Sequence, residues 1–315
     1  MSPEPVALKL SGSWSTQLRF TQAIGRALAD LMPINATIVV SAGRNALENG
    51  ELDVAYSKSV NNEHAYTGKG IYAGKSPATW LRTIAWLPQE DRFLFAVAPS
   101  VGVDSYQELA KKRPPLKMVG RSTPFVLKAY GFSYEDIEGW GGKVAPGMQH
   151  TWREAKKRYE AGELDAFCGD GSAFDFGAWR FVASRGYRFL GIDEDVMASM
   201  EQELGIRRIV TPAGFLPGID HNLITVDDSH IVVTVRENLD DTVAYNLAKA
   251  INENRREIET CSIQVSYTED ETLPLTRPSY WSSLTGSIDR QWDERILGAP
   301  LHPGAARYYK EAGLL

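Results

Sequence analysis

Runs of β-branched and aromatic residues alternate along this chain with stretches whose apolar positions recur every three or four residues. The first pattern predicts strands and the second predicts amphipathic helices. VALKLSG reads as a buried strand entering the polar turn SGSWST, and the next stretch lines up Ile24, Ala27, Leu28 and Leu31 on one helical face. ATIVVS predicts a second strand, followed by the turn AGRN and a short helix closed by Gly50, and LDVAYS predicts a third strand. Residues 58–75 carry no periodicity and predict a long polar loop. SPATW then predicts a helical turn, with Ser76 as cap and Pro77 at its first position.

The same alternation continues. RFLFAVAP, residues 92–99, predicts a strand, and DSYQELAKK a helix that Asp104 or Ser105 caps with Glu108 in support. LKMVG predicts a strand leading into RSTPF, where Ser122 or Thr123 can cap a helix holding Pro124 in its first turn and stopped by Gly131. GWGGKVAPG, residues 139–147, reads as a glycine-rich loop. TWREAKKRYEAG predicts a helix between a Thr151/Glu154 capping box and Gly162, LDAFC a strand, and GDGSAFDFGAWRFVASRG a turn running into a helix. RIVTP and HIVVTV predict strands, DDTVAYNLAKAINENRREIE a long amphipathic helix, and the stretch near 260–290 is irregular and polar. Strands alternating with helices imply an α/β protein with largely parallel sheets.

One local pattern recurs: a strand ends in small polar residues and a helix starts at once, in SGSWST, SAGRN, GRSTPF and GDGSAF. Ligands of open α/β sheets sit at the carboxyl ends of strands, where helix N-termini offer unpaired N–H groups to carboxylates or phosphates. Two of these turns precede residue 100 and two follow it, as a two-lobed protein closing on a ligand would require.

Composition narrows the classes. The 315 residues suffice for two modest domains or one large unit. A net charge of −6 opposes the basic face of a nucleic-acid binder, and KKRPP at 111–115 is too short for a phosphate-tracking stripe. The apolar runs are too short to span a bilayer. Cys168 and Cys261 have no metal-site spacing, His64, His221 and His230 show no ligand pattern, and no glycine-rich nucleotide motif exists. No metal and no cofactor are therefore expected. MSPEPVALKLSGSW has no leader features, so the chain is cytoplasmic if complete as written and periplasmic if a leader was removed.

GELDVAYSKS, LRTIAWLP, AGELDAFCGDG, TPAGFLPGID and the closing PLHPGAARYYKEAGLL resemble, in that order, motifs of the TAXI family of solute-binding proteins, which serve tripartite (TRAP) transporters. The closing motif is the most specific of the five. The resemblance implies a two-lobed type II periplasmic-binding-protein fold, membrane transporter subunits as partners, and a small organic anion held between hinged lobes. The expected lobes are 1–98 plus 222–315 and 99–221, with the hinge near 98 and 221. The chain departs from the family in GSWSTQLRF, with Trp14, Gln17 and Arg19, in the short GRSTPF, and in TPAGFLPG. The family's own ligands therefore do not carry over.

Candidate site residues follow from the turns. Arg121, Ser122 and Thr123 are read as a carboxylate clamp, since a guanidinium pairs bidentately with carboxylates, or else Arg121 is a surface ion-pair residue. Arg44 and Asn45 are read the same way on the other lobe, joined by Ser13, Trp14 and Tyr56. Asp170 either accepts a hydrogen bond from a ligand amine or hydroxyl, or caps the following helix. Trp14, Tyr56, Trp140 and Phe174 either stack on the ligand or pack in the core. His302 and the tail tyrosines read as the docking of a terminal helix rather than as catalysis. An enzyme on the same fold, using Asp170, His150 or Cys168, and a cytoplasmic metabolite sensor are the alternatives; Cys168 fits a buried strand residue as well as a nucleophile.

Overall fold

A computed structural model describes residues 4–12, 15–40, 43–87, 91–120, 122–145, 152–171, 177–228, 231–255, 257–258, 292 and 294–315. The chain divides into two compact units, residues 1–89 with 229–315, and residues 90–228. In chain order the first unit opens with β1 (Val6–Ser11), α1 (Ser15–Ala29), β2 (Ile34–Val39), α2 (Arg44–Glu48) and β3 (Val54–Lys58). It continues with α3 (Ser59–Thr67) and β4 (Leu81–Leu87). The second unit holds β5 (Arg92–Val97), α4 (Tyr106–Lys112), β6 (Lys117–Val119), α5 (Pro124–Ala129), α6 (Tyr134–Gly139) and β7 (Lys143–Ala145). It goes on with α7 (Trp152–Glu160), β8 (Ala166–Gly171), α8 (Gly177–Ser184), β9 (Arg188–Phe189) and α9 (Glu194–Leu204). A ribbon of β10 (Arg208–Thr211) and β11 (Leu223–Val226) ends it. The chain returns to the first unit as β12 (Ile231–Arg236), α10 (Asp241–Glu253), α11 (Glu294–Leu297) and α12 (Pro303–Glu311).

The α/β class expected from the alternation is present, as two five-stranded sheets with helices. The sheets are mixed rather than largely parallel. The first runs β2-β1-β3-β12-β4 and the second β7-β6-β8-β5-β9. β1 pairs parallel with β2 and β3, and β6 pairs parallel with β7 and β8. β12 lies antiparallel between β3 and β4, and β5 antiparallel between β8 and β9. Both sheets thus follow one plan: three parallel strands, then a strand contributed where the chain has just crossed from the other unit, then an edge. Such inserted strands are buried on both faces and read as continuous apolar runs, so their sequence alone cannot distinguish parallel from antiparallel neighbours.

Several local expectations change. Residues 59–67 form α3 where a loop was expected, because its buried positions are Asn62, His64 and Ala65 rather than an apolar stripe. Tertiary partners hold it instead: the Asn62 amide donates to the Leu297 carbonyl at 3.1 Å, and Gly68 ends the helix in the left-handed region. Ser76 and Pro77 start no helix, and the chain runs directly into β4. The 139–147 loop contains β7, whose three residues are too few for a period to show. The Thr151 cap of α7 lies outside the described residues.

The tail folds as the docking helix α12. His302 is its N-cap, Pro303 occupies the first helical position, and Gly313 lies beyond the end with φ +70°. Nδ1 of His302 accepts from the Gly304 N–H at 3.2 Å, so the proton sits on Nε2, 3.2 Å from the Glu237 carbonyl. Both ring nitrogens are thereby committed. Burial holds the imidazole below the usual histidine range, against the pull of the Asp241 carboxylate. The inward face is Gly304, Ala305, Tyr308 and Tyr309, and Ala312 is exposed. A Cβ on Gly304 would overlap the Asp241 carbonyl, so glycine lets α12 approach α10, and the Tyr309 hydroxyl donates to the Ile84 carbonyl at 3.1 Å.

Candidate functional site

In the first unit, β1, β2 and β3 are parallel, so Gly12, Val40 and Ser59 come to the same edge of the sheet. The Gly12 N–H donates to the Val39 carbonyl at 3.0 Å, and a side chain at Gly12 would press on Ile38. Gln17 is buried in the first turns of α1, and Arg19 is exposed. Ser13 and Trp14 lie outside the described residues. Tyr56 is buried in the main core, with its hydroxyl 2.8 Å from that of Thr21, which in turn donates to the Ser11 carbonyl. Since Thr21 spends its proton on Ser11, Tyr56 is the donor to Thr21, and burial pushes its phenol up. Tyr56 braces α1 against β1 and β3 from inside.

Arg44 is the first residue of α2, and its guanidinium carbon lies 4.1 Å from the ring centre of Tyr72. Its Nε is buried and, among the described residues, has no hydrogen-bond partner. Asn45 beside it is exposed. Lys75 places its ammonium 5.4 Å from the centre of the same ring. Neither Tyr72 nor Lys75 was picked out from the sequence; they fall in the stretch without periodicity, and no motif marks them.

In the second unit, β6 ends at a turn pressed against β8. Gly120 has φ +109°, and the Cys168 carbonyl occupies the space a Cβ would need. Only glycine fits there. Arg121 lies outside the described residues, Ser122 is half-buried and Thr123 is buried. Thr123 holds the N-cap position of α5 with φ +52°, but its side chain gives the helix no hydrogen bond. The capping role expected of Ser122 or Thr123 is therefore absent. A β-branched residue in the left-handed region directly before a proline is sterically costly, so the surrounding packing imposes this turn.

The Tyr134 hydroxyl donates to the Ser122 carbonyl and lies 3.1 Å from the Cys168 sulfur, leaving the thiol as donor to it. Burial pushes the thiol up to about 12. Cys168 is thus a protonated strand residue, and the nucleophile reading fails on its chemistry. Asp170 sits inside β8, paired with Phe93 and exposed, not in a loop or at a helix cap. The strand extends that far because β5 pairs with β8 from Val97–Ala166 through Arg92–Gly171. Trp140 packs on Phe132, ring centres 5.4 Å apart. His150 and Phe174 lie outside the described residues.

A further polar group went unpredicted. Arg92 is fully buried; its Nη1 donates to the Thr211 hydroxyl at 2.6 Å and its guanidinium lies 4.5 Å from the Phe215 ring. That explains the threonine and phenylalanine of TPAGF. The Asp228 N–H donates to the Asp91 carbonyl at 2.9 Å, and the backbone of Arg92 forms an isolated antiparallel bridge with that of Asp227. The segments entering and leaving the second unit are thereby tied together inside it. The available signal was a charged residue heading the otherwise apolar RFLFAV.

Among the described residues, no group of three His, Cys, Asp or Glu side chains converges to hold a metal, and no helix is long and apolar enough to cross a membrane. Comparison with solved structures finds likeness to an ABC-transporter choline-binding protein, at 10% identity and TM-score 0.43 over 98% of both chains. A glycine betaine/L-proline-binding protein from Borrelia burgdorferi aligns at 15% identity and TM-score 0.46, over 82% of this chain and 91% of its own. The alkanesulfonate-binding protein from Xanthomonas axonopodis pv. citri, bound to MOPS, aligns at 13% identity and TM-score 0.41, over 96% of this chain and 98% of its own. The family model that matches this chain runs over residues 20–313, nearly its whole length, and the chain belongs to the NMT1-like family.

Proposed function

We propose that this chain is the solute-binding component of a TRAP-type transporter of the TAXI kind, and that its solute is a small organic anion. The observation that carries the anion is Arg44, a guanidinium at the start of α2 whose Nε is buried with no acceptor among the described residues. A buried donor left unpaired costs free energy that an incoming acceptor recovers, and a carboxylate presents two oxygens matched to the guanidinium fork. Asn45, exposed beside it, supplies a further polar group of this reading. The transport role is supported by the five ordered motifs, and it implies work outside the cytoplasmic membrane beside membrane subunits. Cys168, held as a thiol, offers no nucleophile for catalysis.

A thermal-shift screen of amino acids, dicarboxylates, keto acids and aromatic acids tests this. A binding acid at a hundred times its dissociation constant should add about 2.7 kcal/mol of stability, be recovered unchanged by mass spectrometry, and bind Arg44→Ala at least about tenfold more weakly. Stabilisation by none of these acids, or conversion of the hit into a product, would overturn the proposal.

A further inference from the structure

Arg44 and Lys75 approach one ring. The guanidinium carbon lies 4.1 Å and the ammonium 5.4 Å from the centre of Tyr72. An aromatic quadrupole attracts cations but carries no net charge, so two cations sharing a ring still repel each other. Among the described residues neither has a carboxylate partner, in a protein that carries 40 acidic against 34 basic residues. The Nε of Arg44 is in addition buried without an acceptor. An uncompensated cation pair with an unmade charged hydrogen bond is complete only when an anion joins it.

The support beneath is rigid. Ala46 and Leu47 of α2 belong to a satellite core with Leu52, Ala55, Ala65 and Leu81, and the Tyr72 ring packs against that same cluster. The backbone brings Lys75 back over the ring: its N–H donates to the Tyr72 carbonyl at 3.0 Å, through a turn in which Gly74 has φ +82°. The ring and the helix that carries Arg44 are therefore held by packing before any ligand arrives, which lowers the entropic cost of binding.

We propose that Arg44, Tyr72 and Lys75 form an oxyanion-binding site contained wholly in the first unit. Arg44 supplies the directional fork, Tyr72 fixes the guanidinium plane, and Lys75 supplies the second charge, turning from the ring to a carboxylate or phosphate group. This rests on the anion reading above and adds Tyr72 and Lys75 to it as determinants of affinity.

The test uses the full chain labelled with ¹⁵N and titrated separately with sodium acetate and sodium phosphate, against sodium chloride at equal ionic strength. At least one of the two oxyanions should move the Arg44 Nε–H resonance saturably, and which one binds more tightly separates a carboxylate from a phosphate site. Lys75→Gln should weaken that binding about tenfold, whereas Lys69→Gln, an equal charge change at an exposed position of the same loop, should leave it within about twofold. An Arg44 resonance that neither oxyanion moves overturns the site, as does equal weakening by both lysine changes. If an acid from the screen binds Lys75→Gln and Arg44→Gln as tightly as the parent, this site falls while the anion-binding function stands. If no acid binds the parent, both fall.

Discussion

The two units lay out their strands in the same order and then fill that plan with different chemistry. In the first unit the first five positions of the inserted strand β12 are buried Ile, Val and Thr, and the polar side chain among those five, Thr234, donates to the Ala55 carbonyl at 3.2 Å. Around it lie aliphatic helices α1 and α10 and the tyrosine-bearing α12. In the second unit the inserted strand β5 begins with a fully buried arginine, and the core around it is aromatic. Trp179 packs on Phe167 with ring centres 4.2 Å apart, and the hydroxyls of Tyr159 and Tyr187 each donate to a backbone carbonyl at 2.7 Å. One topology therefore tolerates two ways of satisfying buried polar groups. What both units keep is a glycine where backbone meets backbone: Gly120 against β8, and Gly304 against α10.

The sharpest way to break that comparison is to add a methyl group at each close approach. Gly120→Ala forces both a forbidden φ and an overlap with a strand carbonyl, and should cost about 4 kcal/mol or prevent the second unit from folding. Gly304→Ala meets only an overlap that α12 can relieve by shifting, and should cost about 2 kcal/mol. Urea unfolding followed by tryptophan fluorescence reads both; equal losses would mean that the two contacts are mechanically alike. The inserted strands offer a second pair, with the larger loss falling between those two. Arg92→Met leaves Thr211 without its partner and should cost about 3 kcal/mol. Thr234→Val removes one neutral hydrogen bond from β12 and should cost about 1 kcal/mol. A small loss for Arg92→Met would show the buried cation to be dispensable to the strand plan.

The smallest effect is in the pH dependence. His302 is kept neutral in the fold by burial, so below its unfolded value near 6.5 the unfolded chain takes up a proton that the folded chain refuses. Stability is thus full above that pH and declines as pH falls through it. The described histidine of the second unit, His221, is exposed beside Asp220. Loss at pH 5.5 should therefore appear in the first unit, by hydrogen exchange of α12 ahead of β8. His302→Asn keeps a good N-cap and should flatten the decline; an unchanged decline would place the sensitive group elsewhere.

Much of the architecture was legible because it is written in local periods and end signals. The helical face of α1, the Ser105 cap of α4, the amphipathic run of α10 and the proline and glycine that bracket α12 each depend on neighbours within a few residues. The same legibility fails wherever a distant partner decides. A polar helix such as α3 exists because Leu297 accepts from Asn62, and Asp170 lies in a strand because β5 runs beside it. The buried Arg92 is tolerated because Thr211 and Phe215, more than a hundred residues later, come to meet it.

The candidate site divides along the same line. Arg44 was visible as a charge at a strand-to-helix turn, since turn chemistry is local. Its uncompensated state, the ring beneath it and the second cation on that ring were not, because a side chain's partners are set by which surfaces the fold brings together. Hydrophobic period and capping specify the α/β class, most of the helices and strands, and the terminal helix that closes the chain. Which strands run antiparallel, which polar groups are buried with partners, and where two cations share one ring come from long-range pairing, which leaves no periodic trace in the chain.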